Sequence, residues 1–571
     1  MPVLYHGKEV PTVNKKRTRQ ERITVEARPH LLVRIDNFLK RRALALVIGL
    51  ILLGSVRIAL TYTVFNHTSD EPAHIACGMQ WLDQGIYTYE AQHPPLTRVM
   101  VALLPYLFGI HGNRQNDMTL EGNTILYGGG PGDYDRRLAL SRAGNLPFFW
   151  LACWMVFLWG RRILGTTGGV LAVLIFSMIP TILAHAGLST TDMGVTACIA
   201  AAMYASLRLL EEPNPKTAAW FGLAMGFMVL SKFSAVVYYP AGMALAFAAW
   251  AWSARPRIGD LISRGLRLLP WVAGSAVVAF FLIWAGYRFS FGRNLYLPFS
   301  APFPELFAGV HAVSEHNSGG HLSFLLGQLR MDGWWYFFPV LMAVKLPIAL
   351  LGLIALGCWK RPKPLRSGWS FAAVLAIPLG MLAVAMAARI NIGIRHILPM
   401  FPFLAIIGAA GVVWLAEAGV KQTWARWTLG LSLLWLCGTS LAAHPDYLPY
   451  FNAFAGDHPE RIVVDSDLDW GQDIKRLGAR LKELNAPSVA FTPTITISLA
   501  SHGFPVHTRS QPDAPEPGWN AVQITQWKLY RLGLQMNDPT AQTWPDLIAP
   551  TERIGKSILL YYIPPQPNGA R

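Results

Sequence analysis

Eleven apolar runs constrain this chain more than any other feature, and most approach the roughly 20 residues that a helix needs to cross a bilayer. They lie at 43–65, 138–160, 168–186, 192–210, 216–231, 234–252, 267–286, 336–358, 369–388, 396–415 and 425–443. Backbone polar groups in hydrocarbon must be satisfied within the segment, so such runs predict helices. Of the 571 residues 53% are hydrophobic and only 14% are charged, against about 25% charged in soluble domains. The fold class expected is a polytopic α-helical membrane protein with about 11 transmembrane helices. Cys77, Cys153, Cys198, Cys358 and Cys437 are far apart and form no CxxC, so neither a disulfide framework nor a structural zinc site is expected. The first 42 residues lack an apolar h-region, and no cleavable signal peptide is expected there.

The net charge of +16 has the sign of a nucleic-acid binder until it is located. Residues 1–42 hold 11 Lys/Arg against four acids and precede the first apolar run. That pattern reads as a cytoplasmic tail obeying the positive-inside rule, with contact to anionic lipid. The run 96–111 is short for a span and contains Arg98 and Pro105; it is expected to lie at the outer interface. With it excluded, Arg161-Arg162, the Arg255 to Arg267 loop, the Lys360 to Arg366 loop and Lys421/Arg426 all fall inside. The chain is then a multi-pass protein of the inner (plasma) membrane, N-terminus cytoplasmic and C-terminus extracytoplasmic. Residues 43–443 form the membrane domain, with outer loops 66–137 and 287–335. Residues 444–571 form a polar extracytoplasmic α/β domain, with strands expected at 461–465, 488–492, 521–525 and 557–562 and a helix at 472–484.

Asp70-Glu71 directly follows the first apolar run. Ionisable groups at a membrane boundary are costly to hold and mark function by default. Asp70 is placed to deprotonate or orient an acceptor hydroxyl, backed by Glu71; helix N-capping by Ser69 or Asp70, with Pro72 in the first turn, is compatible with that role. Asp192, after Ser189-Thr190-Thr191, is either a second acid facing the same cavity or an N-cap. His67, Asp70, Glu71 and His74 have a spacing compatible with one helical face, which suits a divalent metal as cofactor. His93-Pro94-Pro95 fixes an extended turn. Lys232, Lys345, Arg395 and His396 interrupt apolar sequence with no equal set of acids in the spans. A lipid phosphate would supply the missing anion; snorkelling to headgroups is the ordinary alternative. The four carboxylates of Asp465 to Asp473 lack EF-hand spacing, and capping by Asp467 or Asp469 is the expected use.

The motifs Asp70-Glu71-Pro72, Gln92-His93-Pro94-Pro95-Leu96, Leu183-Ala184-His185 with Thr190-Thr191-Asp192, Ser231-Lys232-Phe233-Ser234, Tyr336 to Pro347, Asn391 to Pro399 and Asp465 to Asp473 occur in an order that resembles the GT-C glycosyltransferases. The branch they resemble holds the bacterial relatives of dolichyl-phosphate-mannose protein mannosyltransferases (the glycosyltransferase family 39 type) and of the lipid A aminoarabinose transferase. The resemblance runs from about residue 43 to 562. It implies a polyprenyl-phosphate-linked sugar donor, transfer on the outer face, and inversion at the sugar carbon. It also implies Asp70 as the catalytic acidic residue, with Glu71 and Asp192 as the other acidic positions. Lys232, Lys345 and Arg395 match basic groups near the lipid phosphate, with His93 and His396 beside the substrate. Gln92 stands where related sequences often carry Glu.

The function expected is therefore a membrane glycosyltransferase, moving a hexosyl (mannosyl) or pentosyl unit from lipid phosphate to a protein, lipid or polysaccharide acceptor. Two rivals share the architecture: a lipid-linked sugar transporter or flippase, which needs no base, and a non-catalytic membrane receptor working through residues 445–571.

Overall fold

The computed structural model describes residues 30–130, 132–294, 296–360 and 369–565. The basic tail up to residue 29 and the 361–366 part of the expected inner basic loop lie outside the described residues. Every expected apolar run falls on helix. By length and composition, five described helices can cross a membrane, or seven if each bent pair is one span. The difference from eleven comes from breaks, from short helices, from two runs joined in one stretch, Asp133–Ser177, and from helix Thr423–Ala442, which is long enough but less apolar. The run 336–358 is two helices, Phe337–Lys345 and Ile348–Trp359, bent by 115°. The break falls at Leu346-Pro347, where Pro347 lacks the N–H that would continue the ladder. Helix Ala43–Ala59 stops short of Phe65 and ends in turns. The run 96–111 forms the 13-residue helix Pro95–Leu107, started by the Pro94-Pro95 pair.

Leu146–Ser177 contains a reversal at Gly165, whose φ of 80° leaves the helical region. In a straight helix Gly160 and Gly169 would stand roughly 13 Å apart. Here a Cβ on Gly160 would come within 2.9 Å of the Gly169 Cα. The two halves therefore fold back on each other as a helical hairpin. The helical core is continuous and apolar, with Phe149, Phe176, Phe337, Phe401 and Phe403 fully buried. Helix Ile258–Gly286, by contrast, fully buries only Ser275, where it packs on helix Pro215–Ser231, and leaves its other face exposed, as a lipid-facing helix does.

Between residues 287 and 335 two small hairpins, β1 (Phe291–Arg293) with β2 (Ser300–Pro302) and β3 (Ser323–Leu325) with β4 (Gln328–Arg330), flank helix Pro304–Gly319. The C-terminal unit is a mixed five-stranded sheet. Its strands are β5 (Ser488–Ala490), β6 (Val506–Thr508), β7 (Gly518–Gln523), β8 (Glu552–Ile554) and β9 (Ile558–Ile563), in the order β6-β5-β7-β9-β8. Helix Ile474–Glu483 covers it with Ile474, Leu477 and Leu481, spaced three and four apart on one face. The strand expected at 461–465 does not form. Short 3-10 turns at Pro459–Arg461 and Asp465–Asp467 stand there instead, and Asp465 adopts a positive φ of 60°. Within it Val463 packs into the helical core and Val464 against the C-terminal unit, and the Asp465 N–H donates to the Thr525 hydroxyl.

Candidate active site

Asp70 and Glu71 are adjacent, yet they occupy different environments. Helix Glu71–Gln84 begins one residue after Asp70, with Pro72 in its first turn. Glu71 is fully buried and receives both arms of Arg142, at 2.9 and 2.8 Å. The Ser189 N–H (2.9 Å) and the Thr68 N–H (2.8 Å) also donate to it. Burial pushes the Glu71 carboxyl up, but the Arg142 charge and these bonds outweigh it and hold the group below its ordinary value. Both of its oxygens are occupied by protein.

Asp70 takes the N-cap position without making a cap bond. Its side chain is 37% exposed and accepts from Arg395 Nη1 at 2.9 Å. The Arg395 guanidinium carbon lies over the indole of Trp470, 4.1 Å from the ring centroid, and its Nε has no partner. Asp192 opens helix Asp192–Glu211. Its Oδ1 accepts from Lys232 Nζ at 2.6 Å while its buried Oδ2 is unpartnered. His185 Nδ1 and His396 Nε2 are likewise buried and unpartnered. His185 meets the edge of Trp470 at 6.4 Å and feels the charges of Asp192, Arg395 and Lys232. His396 follows Arg395 directly in the chain and feels the charges of Lys232, Arg395, Asp192 and His93. Asp70, Asp192, Lys232, His93, Arg395 and His396 thus come to one place from segments more than 320 residues apart.

The expectation that the basic residues lack protein counter-ions is overturned. Arg395 finds Asp70, Lys232 finds Asp192, and Lys345 lies 3.9 Å from Asp467. Two of those acids come from outside the apolar runs, where a count of acids within the spans could not find them. Lys345 is the most confined of the three. Its ammonium donates to the Leu448 and Asp467 carbonyls at 2.8 and 2.7 Å and sits over the Phe451 ring.

His93 Nδ1 lies 3.2 Å from Glu90 and 3.2 Å from Arg98. Arg98 is fully buried and ties Glu90, Tyr87 and His74 together. Burial lowers His93 and His74 from the ordinary imidazole value, and Arg98 adds to both effects. The metal set suggested by spacing does not assemble. His67, pushed down to about 4 by burial, spends Nδ1 on Tyr134 and Nε2 on the Thr496 carbonyl, and His74 Nδ1 accepts from Arg98. Among the described residues no three His, Cys, Asp or Glu side chains are grouped to hold a metal. Nor do Asp467 and Asp469 cap helix Ile474–Glu483, whose N-cap is Asp473 without a side-chain bond. Asp467 accepts from the Ile394 N–H, and Asp469 from Gly471, Gln523 and Thr525.

Sequence reasoning overlooked His185, Trp470 and the Glu90–Arg98 pair as site residues. His185 stands at the end of the run 168–186, seven residues before Asp192 at the start of the next, which was a usable signal. Trp470 had none, because only tertiary contact brings it to Arg395.

Residues 148–284 match the family model of dolichyl-phosphate-mannose-protein mannosyltransferase. The resemblance read from the motifs is borne out over that stretch, which carries His185, Asp192 and Lys232 of the cluster. Three solved structures are similar to the chain. ArnT from Cupriavidus metallidurans bound to undecaprenyl phosphate is 12% identical with a TM-score of 0.49, over 90% of this chain and 97% of that one. The apo state of the same protein gives 13%, 0.48, 91% and 98%. The Archaeoglobus fulgidus oligosaccharyltransferase in complex with Zn and sulfate gives 11%, 0.40, 76% and 55%. No curated protein matches the sequence.

Proposed function

We propose that this chain is a membrane glycosyltransferase that moves a sugar from a polyprenyl-phosphate donor to an acceptor hydroxyl at the extracytoplasmic face, with Asp70 as the base. One observation carries the reading. Asp70 is the carboxylate of the adjacent pair left open to solvent, and it is held by an arginine whose own Nε is unused. The mannosyltransferase-family match of residues 148–284 supports the reaction class.

Asp70 accepts the acceptor proton as the acceptor oxygen attacks the anomeric carbon. The bond from that carbon to the phosphate oxygen breaks, and its electron pair leaves on the polyprenyl phosphate, with inversion at carbon. Arg395 and Lys232 neutralise the charge growing on the phosphate, Arg395 by the fork geometry that suits it. His93, His396 and Asp192 line the sugar side, and Glu71 holds the turn that aims Asp70. The sugar is hexosyl or pentosyl and the acceptor a protein, lipid or polysaccharide.

The test is purified Asp70→Asn against wild type with a radiolabelled polyprenyl-phosphate sugar. Turnover should fall by about 10²–10⁴-fold, the range of a lost general base, while thermal unfolding stays unchanged. Near-normal turnover would overturn the assignment.

A further inference from the structure

We infer that the Asp465–Asp473 loop of the C-terminal unit is a working part of the active site, with Trp470 as the positioning residue for Arg395. This rests on the glycosyltransferase reading above and adds to it a residue and a domain.

The loop grips both segments that carry the Asp70–Arg395 pair. On the Asp70 side, the Ser69 N–H donates to the Trp470 carbonyl at 3.2 Å, and Asn66 Nδ2 donates to the Gly471 carbonyl at 2.7 Å. Asn66 Oδ1 in turn accepts from the Lys475 N–H at 3.0 Å. On the Arg395 side, the Ser466 hydroxyl donates to the Ile392 carbonyl, and the Asp467 carboxylate accepts from the Ile394 N–H at 3.2 Å. Gly393 between them has a φ of 156°, and a Cβ there would lie 2.4 Å from Ser466 Oγ, so only glycine admits this approach. The backbone N–H of Trp470 donates to Gln472 Oε1 at 2.7 Å, and its side chain is buried.

A guanidinium against an indole face is held by the ring quadrupole, more strongly where water is excluded. With the ring against the guanidinium, Nη1 is held by Asp70 and Nε has no protein partner, so a donor is left for an anion. Without the ring, the long side chain regains its rotamers and the fork is no longer pre-formed. Trp470 therefore acts on the donor phosphate through Arg395 and does not touch the acceptor.

The test uses the full-length protein in detergent or nanodiscs. It measures the Kd for a polyprenyl monophosphate, and donor and acceptor KM, in Trp470→Leu, Trp470→Phe and Ser557→Ala. Trp470→Leu keeps apolar bulk without a ring. It should raise Kd and donor KM about tenfold, as a lost desolvated cation–π contact does, with acceptor KM unchanged. Trp470→Phe should stay within about threefold of wild type, because a benzene face still binds a cation. Ser557→Ala removes a 2.8 Å bond to Asp473 at the far end of the same loop. It should lower the unfolding temperature without moving either KM, which separates positioning from general loosening. Equal behaviour of Leu and Phe, or a shift in acceptor KM alone, would overturn the role of Trp470 and leave the glycosyltransferase reading standing. Wild type that binds no polyprenyl monophosphate would overturn that reading, and this inference with it.

Discussion

The site is held from two sides, and the two sides bury their carboxylates in opposite ways. At Asn66 to Glu71, Glu71 is sealed from water but meets a two-pronged guanidinium and two amides. In the Asp465–Asp473 loop, Asp469 is just as buried but meets only amides, from Gly471, Gln523 and Thr525, and Asp467 has its ammonium at 3.9 Å. Desolvation opposes charge in both places; only beside Arg142 is it overcome. Glu71 accordingly sits below its ordinary value, whereas burial pushes Asp467 and Asp469 up to about 6. The lesson is that a buried acid becomes a fixed strut only with a bonded cation. With amides alone it remains responsive to protons.

The strongest way to break the comparison is Arg142→Ala. Removing one member of a buried pair typically costs about 3–5 kcal/mol, so unfolding in detergent should occur at much lower temperature, with activity lost alongside. A cost under about 1 kcal/mol would show that the amides suffice for Glu71 and that the two sides do not differ. Lys345→Met is a smaller perturbation, expected to cost on the order of 1–3 kcal/mol at pH 7.5. That cost should shrink at pH 5, where Asp467 takes up a proton and no longer needs a cation. A cost independent of pH would locate the role of Lys345 in its carbonyl bonds alone.

The smallest effect is the pH dependence of the wild-type protein. Between about pH 4 and 6 the folded chain holds protons on Asp467 and Asp469 that the unfolded chain has released. Their contribution to stability therefore falls as pH rises through that window and is level above it. Glu71 works in the reverse sense. Its contribution is present above its ordinary value of 4.5 and fades as pH falls through its depressed folded value. Thermal unfolding followed through a tryptophan signal between pH 4 and 7.5 measures the sum. Asp469→Asn should flatten the upper part of that profile, and an unaltered profile would refute its part in it.

Apolar length and the charge pattern around it were enough to place the helices, because a membrane leaves a backbone few ways to satisfy its hydrogen bonds. The same physics located Asp70, Asp192, Lys232 and Arg395, since charges beside apolar runs stand out in sequence. Partners were another matter. Arg395 reaches across 325 residues to Asp70, and Arg142 across 71 to Glu71. No local period records such pairings. The Asp465–Asp473 acids read as helix caps because capping is a local use of a carboxylate. Their actual use, bonding the Ile392 to Arg395 segment and the end of the central strand β7, is non-local. Sequence determined which residues are expensive to bury, through the cost of desolvating charge. Tertiary structure decided which are compensated and which remain open to a substrate, because that depends on what lies within about 3 Å in space and not on neighbours along the chain.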